Sequence, residues 1–270
     1  MLTALKKNRL YLCTMSLVVT SVENRVGTIV LNRPEKRNAL SAELVEALMA
    51  AVAELNERED VKVILLKSAS KPFCAGADLA YLTQLRDFTF EENVADSRKL
   101  RDLYEAIYTS RKITISQVEG PALAGGCGLA TIVDFCFATQ EATFGYTESK
   151  IGFLPALVMV YLREKVGMAV MTDWLLTGRV FDANEALSKS LIYKVVGSDN
   201  IESDVVEFIQ QLLIGVSAES VAGIKNMMRN LPSKREDALD FAAQMNAHAR
   251  ATTDCKKGID AFLNKEKISW

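Results

Sequence analysis

Glu119-Gly120-Pro121-Ala122-Leu123-Ala124-Gly125-Gly126-Cys127-Gly128-Leu129 follows directly on Ile113 to Val118, a segment patterned as a buried strand. Small residues at the end of a buried strand let a ligand approach the main chain closely. If a helix follows, its first amides face that space with a partial positive charge. A second run of similar make, Phe73-Cys74-Ala75-Gly76-Ala77-Asp78-Leu79, follows the apolar run Val61 to Leu66 and a Lys71-Pro72 turn. Two such loops side by side direct two N–H donors at one oxygen, the arrangement of an oxyanion hole. The plainer alternative is that the glycines only permit tight helix–strand packing.

Neither run fits a nucleotide fingerprint. Gly126 and Gly128 are followed by Thr131 where a dinucleotide-binding loop needs its last glycine, and no Lys-Ser/Thr pair closes a Walker loop. A third segment, Phe144-Gly145-Tyr146-Thr147-Glu148, ends on Ile151-Gly152-Phe153-Leu154-Pro155. A carboxylate among these apolar side chains is expected to have its pKa raised by desolvation, which suits proton transfer near neutral pH. A surface Glu, or a helix N-terminal Glu beside Thr147, is the alternative.

Outward from these segments, strands and helices alternate. Residues 17–23 and 26–31 read as a hairpin about Asn24-Arg25. Ser41 caps a helix whose apolar stripe is Leu44, Val45, Leu48, Met49, Val52 and Leu55. Residues 93–110 read as a helix, and Phe135 to Thr139 as a further strand. Asp182 with Glu185 starts another helix, and Leu191 to Val196 is strand-like. From residue 201 the pattern is helical, with breaks near 215, 223 and 232. The expected architecture is α/β, with a core over 15–200, a helical region over 201–270 and an extension over 1–14 ahead of a second Met at 15.

Composition narrows the function classes. The chain has 270 residues, 32 Lys+Arg against 34 Asp+Glu and a net charge of −2, which gives no basic field for nucleic acid. No apolar run reaches the length of a membrane span. Five cysteines without a CxxC pair, and a single histidine, His248, argue against a disulfide framework or a metal site and fit a reducing, cytoplasmic setting. A Ser-His-Asp mechanism would have to run through His248, and no G-x-S-x-G elbow accompanies it.

Together the three segments resemble the enoyl-CoA hydratase/isomerase (crotonase) superfamily, over about Leu17 to Phe262. Asn32-Arg33-Pro34-Glu35-Lys36-Arg37-Asn38-Ala39-Leu40, Thr177-Gly178-Arg179 with Asp182-Ala183, and Gly258 to Lys265 add to the match. The resemblance implies a crotonase-like spiral of ββα turns with a C-terminal helical trimerisation region, assembled as a homotrimer or a dimer of trimers. It implies an acyl-CoA substrate and no separate cofactor, coenzyme A being part of the substrate. It places the oxyanion donors on the amides of Ala77 and Gly125 and the proton-transferring acid on Glu148. Lys36, Arg37, Ala39, Ala75, Asp78 and Leu79 match positions that cradle CoA, mostly by main chain, and Phe262 and Lys265 match a segment that reaches it.

Two departures stand out. The resemblance implies a second glutamate where this chain has Gly128, and a Gly-rich run where it has Ala156-Leu157-Val158-Met159-Val160. The expected chemistry is hydration or dehydration of a 2-enoyl-CoA, with a branched or methylglutaconyl-type acyl group among the candidates. Isomerisation by a single Glu, decarboxylation and acyl-CoA binding without catalysis are the alternatives. A carboxylate introduced at position 128 is expected to raise water addition if that site has room.

Overall fold

The structure, a computed structural model, describes residues 16–85 and 87–231 together with residues 253, 254, 257, 264 and 266. The extension over 1–14, and Phe262 and Lys265, lie outside the described residues.

Strands β1 (Val18–Glu23) and β2 (Val26–Leu31) form the expected antiparallel hairpin. Asn24 and Arg25 both take positive φ, 50° and 67°, the handedness a two-residue hairpin loop needs to follow the strand twist. A 3-10 turn at Pro34–Lys36 leads to α1 (Ala42–Glu57). The Ser41 hydroxyl accepts from the Leu44 amide at the start of α1. The helix buries Leu44, Val45, Leu48, Ala51, Val52 and Leu55. Next come β3 (Val63–Ser68), α2 (Leu79–Leu85), α3 (Phe90–Tyr108), β4 (Ile113–Val118), β5 (Ala122–Leu123) and α4 (Gly125–Thr131). They are followed by β6 (Phe135–Thr139), β7 (Thr143–Gly145), α5 (Ala156–Lys165), α6 (Met168–Thr177), β8 (Val180–Asp182) and α7 (Ala183–Ser188). β9 (Lys194–Val196), α8 (Ile201–Gly215) and α9 (Ala218–Asn230) complete the described elements.

The large sheet has the order β1-β2-β3-β4-β6-β9, parallel throughout except for the hairpin. A smaller sheet runs β5-β7-β8. Single parallel bridges, Leu40 to Ala77 and Cys74 to Ala122, prolong it backwards. After β2, β3, β4 and β6 the chain therefore crosses to the small ladder before returning through a helix or loop. This winding is the spiral of ββα turns, an α/β fold of the crotonase type. One core fills the space between the two ladders, α1 and α3. A second cluster forms where Ile201, Val205 and Ile209 of α8 cover Val63, Leu65 and Ile115 on the other face of the large sheet.

Several elements differ from the expectation. Helix α2 buries none of its residues, so its apolar Leu79, Leu82 and Leu85 do not mark an inward face. Helices α5 and α6 expose Met159, Val160, Met168 and Leu176 as well as burying Val158, Leu162, Met171 and Trp174, which blurs the helical period. Gly223 lies inside α9 rather than breaking it, and β9 begins at Lys194 rather than Leu191.

Candidate active site

The two Gly-rich loops meet at the short ladder. Asn38, fully buried, clamps the first loop of the chain to the second. Its side-chain oxygen accepts from the Arg33 amide at 2.8 Å, and its nitrogen donates to Ser68 Oγ, Pro72 O and Phe73 O. Nothing in local periodicity marked this residue; it has φ of 52°, and its four partners lie in two segments, about Arg33 and at 68–73, that only the fold brings together. Glycines allow the close approach between loops, since a Cβ on Gly120 would stand 2.3 Å from Lys71 O and one on Gly126 2.5 Å from Cys74 O.

Two amides of the loops that line one cavity are left without acceptors among the described residues. Leu40 donates to Gly76 O at 2.7 Å and accepts from the Asp78 amide at 2.9 Å. The Ala77 amide between them has no acceptor among the described residues. Gly76 makes this local turn with φ of +90°. In the second loop Ala124 takes φ 49° and ψ −128°, a strained conformation for a residue with a side chain. Its own amide donates to Gly145 O at 2.7 Å, and its carbonyl accepts from Cys127 and Gly128. That arrangement turns the next amide, of Gly125, away from α4, and it too has no acceptor among the described residues.

Ala75, Ala77, Gly125 and Glu148 line one cavity of about 360 Å³. Its wall is mostly apolar, with Val45, Leu82, Leu100, Phe153, Leu157 and Val158 among the lining side chains. Glu148 opens a 3-10 turn, Glu148–Ile151, directly after β7. One carboxylate oxygen, Oε2, is buried with no hydrogen-bond partner among the described residues. Burial pushes the pKa of Glu148 up, against a smaller opposing effect from its own backbone amide. The group can therefore hold or release a proton closer to neutrality than an exposed glutamate.

The CoA-matching positions divide. Leu79, 81% exposed, stands at the cavity mouth with Ile151 and Leu154. Lys36 and Arg37 are exposed and do not line the cavity, but the Arg37 carbonyl accepts from the Ala75 amide at 3.0 Å, which puts that turn beside the lining loop. Ala39 is buried beneath it. Asp78 faces inward: Oδ1 accepts from the Ala80 amide at 2.8 Å, and Oδ2 forms an ion pair with Arg33 Nη1 at 2.7 Å. Burial raises its pKa, but the amides of Ala80 and Tyr81 and the Arg33 guanidinium outweigh this and hold it below the ordinary value. Its backbone amide and carbonyl are both taken up inside the protein, by Leu40 and Leu82.

Position 128 has no room for a side chain. A Cβ on Gly128 would lie 2.3 Å from Val158 Cγ1 and 3.1 Å from Tyr104 Oη. The condition attached to a carboxylate there, that the site have space, is not met. Val158, from the run that replaces the glycines, fills it. Tyr104 also went unread in the sequence. It is fully buried on α3, lines the cavity and donates its hydroxyl hydrogen to Gly125 O at 2.7 Å.

Comparison with known proteins gives a consistent result. The family model described as enoyl-CoA hydratase/isomerase matches residues 21–270. A protein of Thermus thermophilus named as a putative enoyl-CoA hydratase is 37% identical over 244 residues, covering 90% of this chain and 96% of that protein. A crotonyl-CoA hydratase of Syntrophomonas wolfei is 29% identical, covering 94% of this chain and 97% of its own length. Among solved structures, an enoyl-CoA hydratase from Shewanella pealeana superposes with a TM-score of 0.90 at 28% identity, covering 94% of this chain and 96% of that one.

Proposed function

Because the chain belongs to the enoyl-CoA hydratase/isomerase family, we propose that it adds water to the double bond of a 2-enoyl-CoA thioester, or removes it in the reverse direction. The thioester oxygen sits between the amides of Ala77 and Gly125. Glu148 takes a proton from water as the water oxygen bonds to C3. The electron pair of the C2–C3 π bond moves toward the thioester, and the two amides hold the charge that develops on its oxygen. As the enolate collapses, Glu148 returns that proton to C2, so one water is added and the carboxylate is regenerated. The observation that carries this reading is that Glu148, one of whose carboxylate oxygens is buried and unpartnered, lines the same cavity as two amides that lack acceptors. Coenzyme A arrives as part of the substrate, with Lys36, Arg37, Ala39, Ala75 and Leu79 beside it and Phe262 and Lys265 reaching it from the C-terminal segment. No separate cofactor takes part. Asp78 acts on this site only through the loop it braces.

The test is the loss of enoyl-thioester absorbance with crotonyl-CoA. Turnover supports the reading, and tight binding without turnover would make the protein an acyl-CoA binder. Isomerisation of a 3-enoyl-CoA is the second reading, because the packing of Val158 against Gly128 leaves Glu148 to act without a second carboxylate at that position. It would show as 2-enoyl absorbance appearing from 3-hexenoyl-CoA. Decarboxylation of a malonyl-type thioester would leave activity largely independent of Glu148. A methylglutaconyl-type acyl group suits the cavity poorly. Its described lining holds Asp96 and Glu148, and its cation Lys99 already pairs with Glu46 at 2.7 Å, so an apolar acyl group fits better. Assembly as a homotrimer or dimer of trimers would cover the exposed apolar side chains of α5 and α6. A lone 29.8 kDa species in sedimentation at micromolar concentration would refute it. The cytoplasmic setting rests on cysteine usage. Among the described residues no single helix is long and apolar enough to cross a membrane.

A further inference from the structure

Gly125 presents a physical problem. A Cβ there would lie 3.1 Å from Leu40 Cδ1 and 3.2 Å from Tyr104 Oη, so the space favours glycine. Glycine is also the residue with the most backbone freedom. It follows Ala124, whose strained conformation would relax if the intervening peptide rotated and carried the Gly125 amide away from the cavity. That peptide is held from one side, where the Ala124 carbonyl accepts from the amides of Cys127 and Gly128. The strain at Ala124 pulls against those two bonds, and a hold on the far side of Gly125 would oppose it.

Tyr104 stands where such a hold is needed. Its ring is fully buried on α3 and meets Tyr161 edge-on, with centroids 6.0 Å apart. A hydroxyl in that setting must be hydrogen-bonded. Its partner is the carbonyl of Gly125, at 2.7 Å. Its oxygen also lies 3.1 Å from where a Cβ of Gly128 would be, so it is wedged against the first turn of α4. Desolvation above all, and then the nearby thiols and Glu148, hold its pKa well above the ordinary tyrosine value, so the proton stays on the oxygen and is donated to the loop.

We propose that Tyr104 is a positioning residue of this site: its hydroxyl, bonded to the Gly125 carbonyl, anchors Gly125 on the side away from Ala124, so that the strained Ala124–Gly125 peptide keeps its amide facing the thioester oxygen. It transfers no proton and touches no reacting atom. The inference rests on the thioester-binding reading above, and its failure is distinguishable from the failure of that reading.

The experiment uses the full chain and para-(dimethylamino)cinnamoyl-CoA, a thioester whose absorbance shifts to the red when its carbonyl is polarised. The wild-type protein should produce the shift. If it binds the probe with no shift, the thioester reading falls and the Tyr104 proposal with it. Tyr104→Phe keeps the ring and removes the donor. It should bind the probe within about threefold of wild type, lose a large part of the red shift and lower kcat on the enoyl-CoA substrate by about 10- to 100-fold with KM little changed. A folded Tyr104→Phe protein with the full shift and wild-type kcat would overturn the proposal. Tyr104→His, smaller but able to donate, is the second variant and covers the case in which Tyr104→Phe fails to fold. It should keep more of the shift than Tyr104→Leu, which fills space without donating. Equal losses in those two would mean that packing alone matters, and would also overturn it.

Discussion

Replacing Glu148 by Gln should make the protein more stable and nearly inactive, and the two effects share one cause. The carboxylate is largely withdrawn from water and has one oxygen without a partner. Its ionised form is therefore penalised in the folded state, and its pKa rises from an ordinary value of 4.5. Below about pH 4.5 the group is protonated whether folded or not, and no penalty applies. As pH rises through the raised folded pKa the folded protein must give up a proton it would rather keep, and stability falls. At pH 7 the folded protein bears this cost, and at about pH 4.5 it does not. Gln leaves the same position without a partner but carries no charge, so Glu148→Gln should raise unfolding stability at pH 7 by the charge penalty alone, about 1 kcal/mol. The gain should shrink toward zero as pH is lowered to about 4.5. Urea unfolding at both pH values, read as a change in midpoint at constant slope, measures this directly. The same variant keeps the shape of the side chain but exchanges no proton, so kcat should fall by about 10²–10⁴-fold. A variant that is equally stable at both pH values would refute the assignment of a desolvated carboxylate. One that keeps wild-type kcat would refute its role in proton transfer.

Other substitutions test the packing around the site. Gly128→Glu should destabilise the protein by about 3 kcal/mol or more, because its first side-chain carbon already collides with Val158. Adding Val158→Gly should restore part of the Tm, and a single variant with wild-type Tm would contradict this crowding. Asp78→Asn should cost about 3 kcal/mol by leaving Arg33 without its ion pair at a largely buried site. The wild-type stabilisation from Asp78 is present above the ordinary aspartate pKa and is lost as pH falls through its depressed folded value. The variant should therefore lack part of the acid-induced loss seen in wild type, and identical acid-unfolding curves would refute this.

Much of the fold was legible because its signals are local. The hairpin about Asn24-Arg25, the Ser41 cap with its stripe from Leu44 to Leu55, and the apolar runs at 61–66, observed as a strand over Val63–Ser68, and at 113–118 each follow from periodicity and capping over a few residues. The loops at 73–79 and 119–129 could be recognised by their small residues, and Glu148 by its apolar neighbours. Helices α2, α5 and α6 escaped notice because their exposed faces carry apolar residues or their buried faces carry few. In these segments the helical period does not separate inside from outside.

By itself the sequence determined which loops follow buried strands, which carboxylate stands among apolar side chains, and that position 128 carries no acid. Only the tertiary structure decided that Val158, thirty residues further along the chain, occupies the space a side chain at 128 would need. The same holds for Asp78, which turns inward to Arg33, and for Tyr104 and Asn38, which brace loops remote from them in sequence. The physical reason is range. Propensity, capping and periodicity act within a turn or two of chain, whereas steric exclusion, burial of a carboxylate and the direction of an amide depend on atoms that meet only when distant segments pack together.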